Sequence, residues 1–321
     1  MTRGMVLGKF LPPHAGHVYL CEFARRWVDD LTIVVGTLKA EPIPGETRFA
    51  WMRELFPFDR VVHLTDENPQ DPSEHPDFWS IWQSSLERAL PSPPDLVFAS
   101  DAYGEKLAAV LGARFVAVDP ERSVFPVSGT SIRTNPLAHW DQLPRCVRPH
   151  FVKRVSVLGP ESTGKTTLAR ALAEKFRTVW VPEWARTLLE QRGGALEGLD
   201  WREIVRGQIA SEESLARDAN RVLICDTDPL VTTVWAEALL GACPAAVSNG
   251  AEARRYDLTL LTDADAPWVA DSVRYLPKGG RAFFARCEDA LQRAGRRYVV
   301  LRGTWEERTA QACAAIAEVL P

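Results

Sequence analysis

Arg154-Val155-Ser156-Val157-Leu158-Gly159-Pro160-Glu161-Ser162-Thr163-Gly164-Lys165-Thr166-Thr167-Leu168 reads as an apolar strand, a glycine loop and the first turn of a helix. Residues 159–166 match the spacing G-x-x-x-x-G-K-[ST] in full. The spacing has a physical cause. Phosphate oxygens must come close to backbone N–H groups, so glycine stands where a Cβ would obstruct or where φ must be positive. The helix over 165–176 turns its positive end toward the anion. Gly159, Glu161, Ser162, Thr163, Gly164 and Thr167 thereby become candidate ATP-binding positions. Lys165 is the candidate for neutralising the β- and γ-phosphates, and Thr166 for ligating Mg²⁺.

Working outward, the strand before the loop is one of a series. Apolar runs at 179–181, 222–225, 258–261 and 298–301 alternate with helical stretches, the order of a parallel sheet covered on both faces. The run at 222–225 ends in Asp226-Thr227-Asp228. Asp226 is a candidate metal-organising carboxylate, and either Asp226 or Asp228 is placed to take the proton of an acceptor hydroxyl. Asp228 before Pro229 also fits a plain helix cap. Arg274, Arg281 and Arg286, around Lys278-Gly279-Gly280, are candidates for a cationic lid or for an ordinary solvated face.

The first half repeats the alternation, with strands expected at 5–7, 31–35, 61–64, 96–99 and 115–118. Helices are expected between them at 16–27, 47–55, 78–90 and 103–111. Prolines at 136, 144 and 149 interrupt the pattern. The expected organisation is therefore two α/β domains, 1–148 and 149–321, each around a parallel sheet.

Directly after the first strand stands Gly8-Lys9-Phe10-Leu11-Pro12-Pro13-His14-Ala15-Gly16-His17. His14 and His17, three apart at a helix start, share a face beside unbonded N–H groups. That arrangement suits transfer of AMP from ATP, in which negative charge builds on the α-phosphate and no covalent nucleophile is needed. Gly8, Lys9 and Phe10 are candidate ATP contacts. A metal-binding role for the histidine pair is disfavoured, because no third ligand stands at metal spacing. Val127-Ser128-Gly129-Thr130-Ser131-Ile132-Arg133 supplies a second phosphate clamp, with Ser128, Thr130 and Ser131 at a helix start and Arg133 reaching the polyphosphate. Trp79 and Trp82 are candidates for stacking on a planar or cationic ring, against the commoner fate of core packing.

Composition narrows the class. The chain has 321 residues, 46% hydrophobic and 25% charged, with net charge −4. That balance excludes disordered and fibrous classes and gives no global basic field for DNA or an anionic membrane. The apolar runs fall far short of the ~20 residues of a membrane span. The six cysteines (21, 146, 225, 243, 287 and 313) are scattered, so a reducing cytoplasmic location is expected rather than a disulfide framework or structural zinc.

With these motifs placed, the chain resembles the bifunctional nicotinamide-nucleotide adenylyltransferase/ribosylnicotinamide kinase family, the NadR type. GKFLPPHAGH and VSGTSIR are similar to the adenylyltransferase motifs of the HxGH superfamily. VKRVSVLGPESTGKTTLARALAEKF and WVPEWAR look like the kinase domain, and LTDADAPWVADSVR resembles its later PWVxDGxR segment.

The resemblance implies a Rossmann-like nucleotidyltransferase domain followed by a P-loop kinase domain. It implies ATP-dependent phosphorylation of ribosylnicotinamide to nicotinamide mononucleotide (NMN), then adenylylation of NMN to NAD with Mg²⁺. By matching position it carries His14, His17, Ser128 and Arg133 to adenylyl transfer, and Gly159, Gly164, Lys165 and Thr166 to the kinase ATP. It carries Asp226 and Asp228 to the ribose hydroxyl and metal, and Trp184, Arg186, Trp268 and Asp271 to substrate binding, Trp184 as a nicotinamide platform. Ser272 departs from the family's glycine, which leaves the role of Asp271 open.

Some members carry an N-terminal helix-turn-helix. Only seven residues precede Gly8 here, so DNA binding is not expected; small molecules are the expected partners, and homo-oligomerisation stays open. Two other readings compete. One is a coenzyme A-pathway adenylyltransferase-kinase fusion, against which stand the EWAR and PWVADSVR segments and the 11 tryptophans. The other is a nucleotide sensor with one site weak or inactive, against which stand the intact His14, His17 and Lys165.

Overall fold

Period-2 alternation in the strands sends successive side chains into two separate cores, so each sheet is covered on both faces. The computed structural model describes residues 1–265, 275 and 279–320. The chain divides into two compact units, Met1–Val147 and Arg148–Pro321.

The first unit runs β1 (Arg3–Gly8), α1 (Ala15–Trp27), β2 (Asp30–Gly36), α2 (Gly45–Leu55), β3 (Arg60–Leu64), α3 (Phe78–Ala89), β4 (Leu96–Ala99), α4 (Tyr103–Val110), β5 (Arg114–Ala117) and α5 (Gly129–Thr134). Its five strands are parallel in the order β3-β2-β1-β4-β5. Val6, Ile33, Val35 and Phe98 pack on one face with Cys21 and Ala24 of α1 and Met52 of α2. Met5, Val34 and Val97 pack on the other with Leu86 of α3 and Leu107 of α4. The order reverses at β1, between β2 and β4, and in open α/β sheets the crevice at such a point, beyond the carboxyl ends of the strands, receives ligands.

The second unit runs α6 (Arg148–Phe151), β6 (Lys153–Leu158), α7 (Lys165–Phe176), β7 (Trp180–Val181), α8 (Trp184–Gln191), α9 (Trp201–Ala216), β8 (Val222–Asp226), α10 (Pro229–Leu240), α11 (Ala245–Glu252), β9 (Leu258–Thr262), α12 (Gly280–Arg293), β10 (Tyr298–Leu301) and α13 (Trp305–Ala317). Its strands are parallel in the order β10-β9-β6-β8-β7. Val155, Val157, Ile224 and Leu260 pack with Leu168 and Leu172 of α7 and Ile316 of α13. Leu158 and Leu261 pack with Val234 of α10 and Leu291 of α12. The glycine loop leaves the central strand, β6, with partners on both sides. The expected α/β class and parallel sheets form, each expected strand falling within a residue or two of its observed place. Among the described residues, no helix is long and apolar enough to cross a membrane.

Candidate active sites

In the first unit the chain leaves β1 at Gly8, and His14 is the extended residue before α1. The His14 and His17 rings stack with centroids 3.7 Å apart at 29°, and the Phe10 ring meets His17 edge-on at 5.1 Å. Gly16 makes this possible, since a Cβ there would lie 3.2 Å from the His14 ring. Burial, with the nearby Arg122 cation, pushes His14 down to about 4. Burial, His14 and Arg122 push His17 well below the ordinary histidine value. Both imidazoles are therefore neutral at pH 7, and an N–H of a neutral ring can donate to a developing anion without carrying charge itself. Both Nδ1 atoms are buried and without a hydrogen-bond partner.

These rings border a cavity of about 780 Å³, also lined by Arg122, Arg133, Trp79 and Trp82. Gly8, Lys9, Phe10, Ser128 and Thr130 line it too. Ser128 caps α5 in a reciprocal box with Ser131. Arg133 reaches back across the cavity mouth, Nη1 donating to the Leu11 carbonyl at 2.5 Å and Nη2 to Thr130 Oγ1 at 3.1 Å. The two motifs, over a hundred residues apart, are thus bonded to each other. Trp82 is anchored by Nε1 donating to the Pro69 carbonyl at 2.8 Å, and both indoles also pack against the Met5/Val34/Val97 core.

Sequence reasoning missed the support beneath this loop. Arg48 of α2 is fully buried; it donates to the Lys9 carbonyl at 2.7 Å and the Ile43 carbonyl at 3.1 Å, and it pairs with Glu41. Burial alone would raise Glu41, but the Leu38 N–H, Arg48 and Lys9 outweigh it and hold the carboxyl below its ordinary value. Lys9 Nζ completes the group, 3.2 Å from Glu41.

In the second unit Gly159 has φ +140°, and a Cβ there would lie 2.2 Å from Thr262 Oγ1 and 2.6 Å from the Thr262 carbonyl oxygen. Only glycine fits between the loop and β9. The Thr163 and Thr262 hydroxyls lie 2.6 Å apart. Gly164 precedes α7 in the left-handed region, and Lys165 Nζ folds across the loop to the Pro160 carbonyl at 2.8 Å. Thr166 Oγ1 donates to Asp226 Oδ2 at 2.5 Å, while Asp226 Oδ1 is buried without a partner. Burial raises Asp226 above the usual carboxylate range, against the Thr166 bond and the Lys165 cation.

A cavity of about 170 Å³ adjoins the loop, lined by Lys165, Glu183, Arg186, Gln208, Thr232 and Trp235 among others. Glu161, Ser162, Thr163, Gly164, Thr166 and Thr167 border it as well. Burial, and then repulsion from Asp226, push Glu183 up to about 7. Glu183 was not singled out from the sequence. The signal was there: an acid two residues past β7, at the carboxyl end of a parallel sheet. Arg308 of α13 was also missed. Buried, it donates to the Thr163 carbonyl at 3.2 Å and the Gly303 carbonyl at 3.0 Å and pairs with Asp265, tying the glycine loop down.

Two expected site residues make other contacts. Asp228 does not line the cavity: it is fully buried, Oδ1 accepting from the Leu230 N–H at 2.7 Å as the cap of α10, and Oδ2 lying 2.6 Å from Arg296 Nη1. Both oxygens are committed to structure, the helix-cap alternative. Trp184 does not line the cavity either. Its indole lies over Gly207 of α9, where a Cβ would sit 2.0 Å from Nε1; among the described residues, Trp201, Trp235 and Tyr275 bring aromatic rings to the cavity. Arg186 lines the cavity and pairs with Glu190 at 2.8 Å. Arg281 is exposed on the first turn of α12. Trp268, Asp271, Ser272, Arg274 and Lys278 lie outside the described residues.

Fold and sites together define the class, an α/β chain joining a nucleotidyltransferase unit to a P-loop kinase unit. A family model described as an AAA domain matches residues 154–308. The trifunctional NAD biosynthesis/regulator protein NadR of Escherichia coli is 31% identical over 296 residues, covering 86% of this chain and 72% of the relative. The chain belongs to the NadR family. A nicotinamide-nucleotide adenylyltransferase of Pyrococcus horikoshii is 28% identical over 195 residues, 57% of this chain and 100% of the relative. A crystal structure of a NadR protein in complex with NAD and AMP-PNP is similar with TM-score 0.78 and 25% identity, over 99% of this chain and 95% of that one.

Proposed function

We propose that the chain makes NAD in two ATP-dependent steps, residues 149–321 phosphorylating ribosylnicotinamide to NMN and residues 1–148 adenylylating NMN. The observation that carries the reading is the presence of two separate phosphate-handling loops in one chain, each beside its own cavity. The NadR structure that holds both NAD and AMP-PNP supports it.

In the kinase step the nucleoside 5′-hydroxyl attacks the γ-phosphorus, the bond to the bridging oxygen breaks, and ADP leaves. Lys165 and the loop N–H groups take up phosphate charge. Glu183 takes the hydroxyl proton; its raised pKa suits a base working near neutrality, and Asp226 stands beside it. Asp228 and Arg296 fix the start of α10, whose Thr232 and Trp235 face the acceptor. Thr166 and the unpartnered Asp226 Oδ1 would hold Mg²⁺. An ion held there would take most of its remaining ligands from phosphate and water oxygens. When bound, it would supply charge neutralisation at the phosphates.

In the adenylyl step an NMN phosphate oxygen attacks the α-phosphorus of ATP and pyrophosphate leaves with the bond electrons. Neutral His14 and His17 donate to the oxygens that gain charge, and Arg122 and Arg133 supply the cations. Trp79 and Trp82 offer faces for the pyridinium ring.

The test is to incubate the purified chain with ribosylnicotinamide, ATP and Mg²⁺ and resolve the products. NMN followed by NAD is expected; absence of both ends the reading.

A further inference from the structure

The phosphorylation reading leaves the base of the donor nucleotide without a seat, and the sheet order says where to look for one. The γ-phosphorus must face the acceptor cavity. That cavity is walled by Glu183 after β7 and Thr227 after β8, on one side of the central β6. The nucleoside end of ATP must therefore leave the loop toward the other side, where the chain emerges from β9 and β10.

Among the described residues, a large aromatic ring stands there. Trp305, the first residue of α13, is 39% exposed, and its Cζ3 lies 3.6 Å from where a Cβ of Gly164 would be, beside the residue that opens α7. The ring is outside the acceptor cavity. The segment that carries it is held firmly. Thr304 and Glu307 close a capping box around the helix start. The Gly303 N–H donates to Asp265 at 3.0 Å, Arg302 pairs with Asp263 at 2.7 Å, and Arg308 joins the Gly303 carbonyl to the glycine loop itself. Part of the ring is thus open to solvent beside the loop that cradles the phosphates, on a turn whose position is fixed.

We infer that the Trp305 indole is the stacking platform for the planar base of the phosphoryl-donor nucleotide, which makes it a determinant of donor choice in the kinase unit. Stacking of a base on an aromatic side chain changes affinity by about 5- to 150-fold. The inference rests on the phosphorylation reading above.

The experiment measures phosphorylation of ribosylnicotinamide by the full chain and by Trp305→Ala and Trp305→Phe. AMP-PNP and inorganic tripolyphosphate serve as competitive inhibitors against ATP. Trp305→Ala should raise KM for ATP and Ki for AMP-PNP about tenfold while leaving kcat, KM for ribosylnicotinamide and Ki for tripolyphosphate within twofold. Trp305→Phe, which keeps a ring, should stay within about threefold of the parent throughout. A parent chain that phosphorylates while Trp305→Ala matches it in KM for ATP overturns the inference alone. So does an equal rise in both Ki values, because tripolyphosphate carries no base and would report a distorted loop. A parent chain that phosphorylates nothing overturns the phosphorylation reading and the inference with it.

Discussion

Replacing Glu183 by Gln keeps the size of the side chain and removes a carboxyl that lines the acceptor cavity and whose pKa burial raises toward neutrality. Its rise from 4.5 to about 7 comes first from burial and then from Asp226, opposed by Lys165 and Arg186. A rise of that size corresponds to roughly 3 kcal/mol of disfavour for the charged form. The fraction able to accept a proton then rises as pH passes through the neutral range. For the parent chain, kcat/KM for phosphorylation should climb about tenfold per pH unit below 7 and level off above it. Glu183→Gln should lose roughly 10²- to 10⁴-fold in rate and show no such climb. Adenylyl transfer by the same chain is the control for titration of ATP itself. With His14 pushed down to about 4 and His17 held well below the ordinary histidine value by burial, both imidazoles stay neutral near pH 7.

Stability gives a second readout with a definite sign. Because the folded-state value of Glu183 lies above the unfolded one, the parent loses stability as pH rises through about 7. The glutamine variant does not. Glu183→Gln should match the parent in denaturant melts at pH 4 and exceed it by on the order of 1–3 kcal/mol at pH 8. A parent profile flat from pH 5.5 to 8, or a glutamine variant that retains both rate and slope, would refute the reasoning.

The remaining predictions concern positions whose role is geometric. Gly16→Ala sets a methyl 3.2 Å from the His14 ring and should tilt it off His17, cutting adenylyl transfer by about tenfold or more while phosphorylation persists. Assaying the two half-reactions separately checks this. Asp228→Asn keeps an acceptor for the Leu230 N–H but strands Arg296 beside a neutral amide. It should cost about 2–4 kcal/mol in chemical denaturation, with both KM values of the phosphorylation unchanged; a collapse of kcat without loss of stability would return Asp228 to the chemistry.

Legibility in the sequence followed the range of the interaction. Strands at 31–35 and 96–99 announced themselves by their own apolar residues, and Gly159–Thr166 by spacing, because the demands of a phosphate cradle are local. Buried arginines did not. Arg48 satisfies a carbonyl 39 residues away and Arg308 one 145 residues away. In the sequence each looks like a solvated charge, since nothing nearby marks its partner. Trp184 differs for the opposite reason: its local context suggests a ligand platform, and the packing of α8 on α9, which sets the ring over Gly207, is not visible in the sequence. At Asp228 two local readings competed, and the deciding partner, Arg296, lies 68 residues on.

Mixing two disabled chains tests the central claim most directly. His17→Ala should convert ribosylnicotinamide and ATP to NMN and stop there, and Lys165→Ala should leave ribosylnicotinamide untouched. The two together in one tube should make NAD, because each supplies the site that the other lacks. If the mixture yields no NAD although the parent does, or if either variant alone makes NAD from ribosylnicotinamide, the assignment of one transfer to each unit is contradicted.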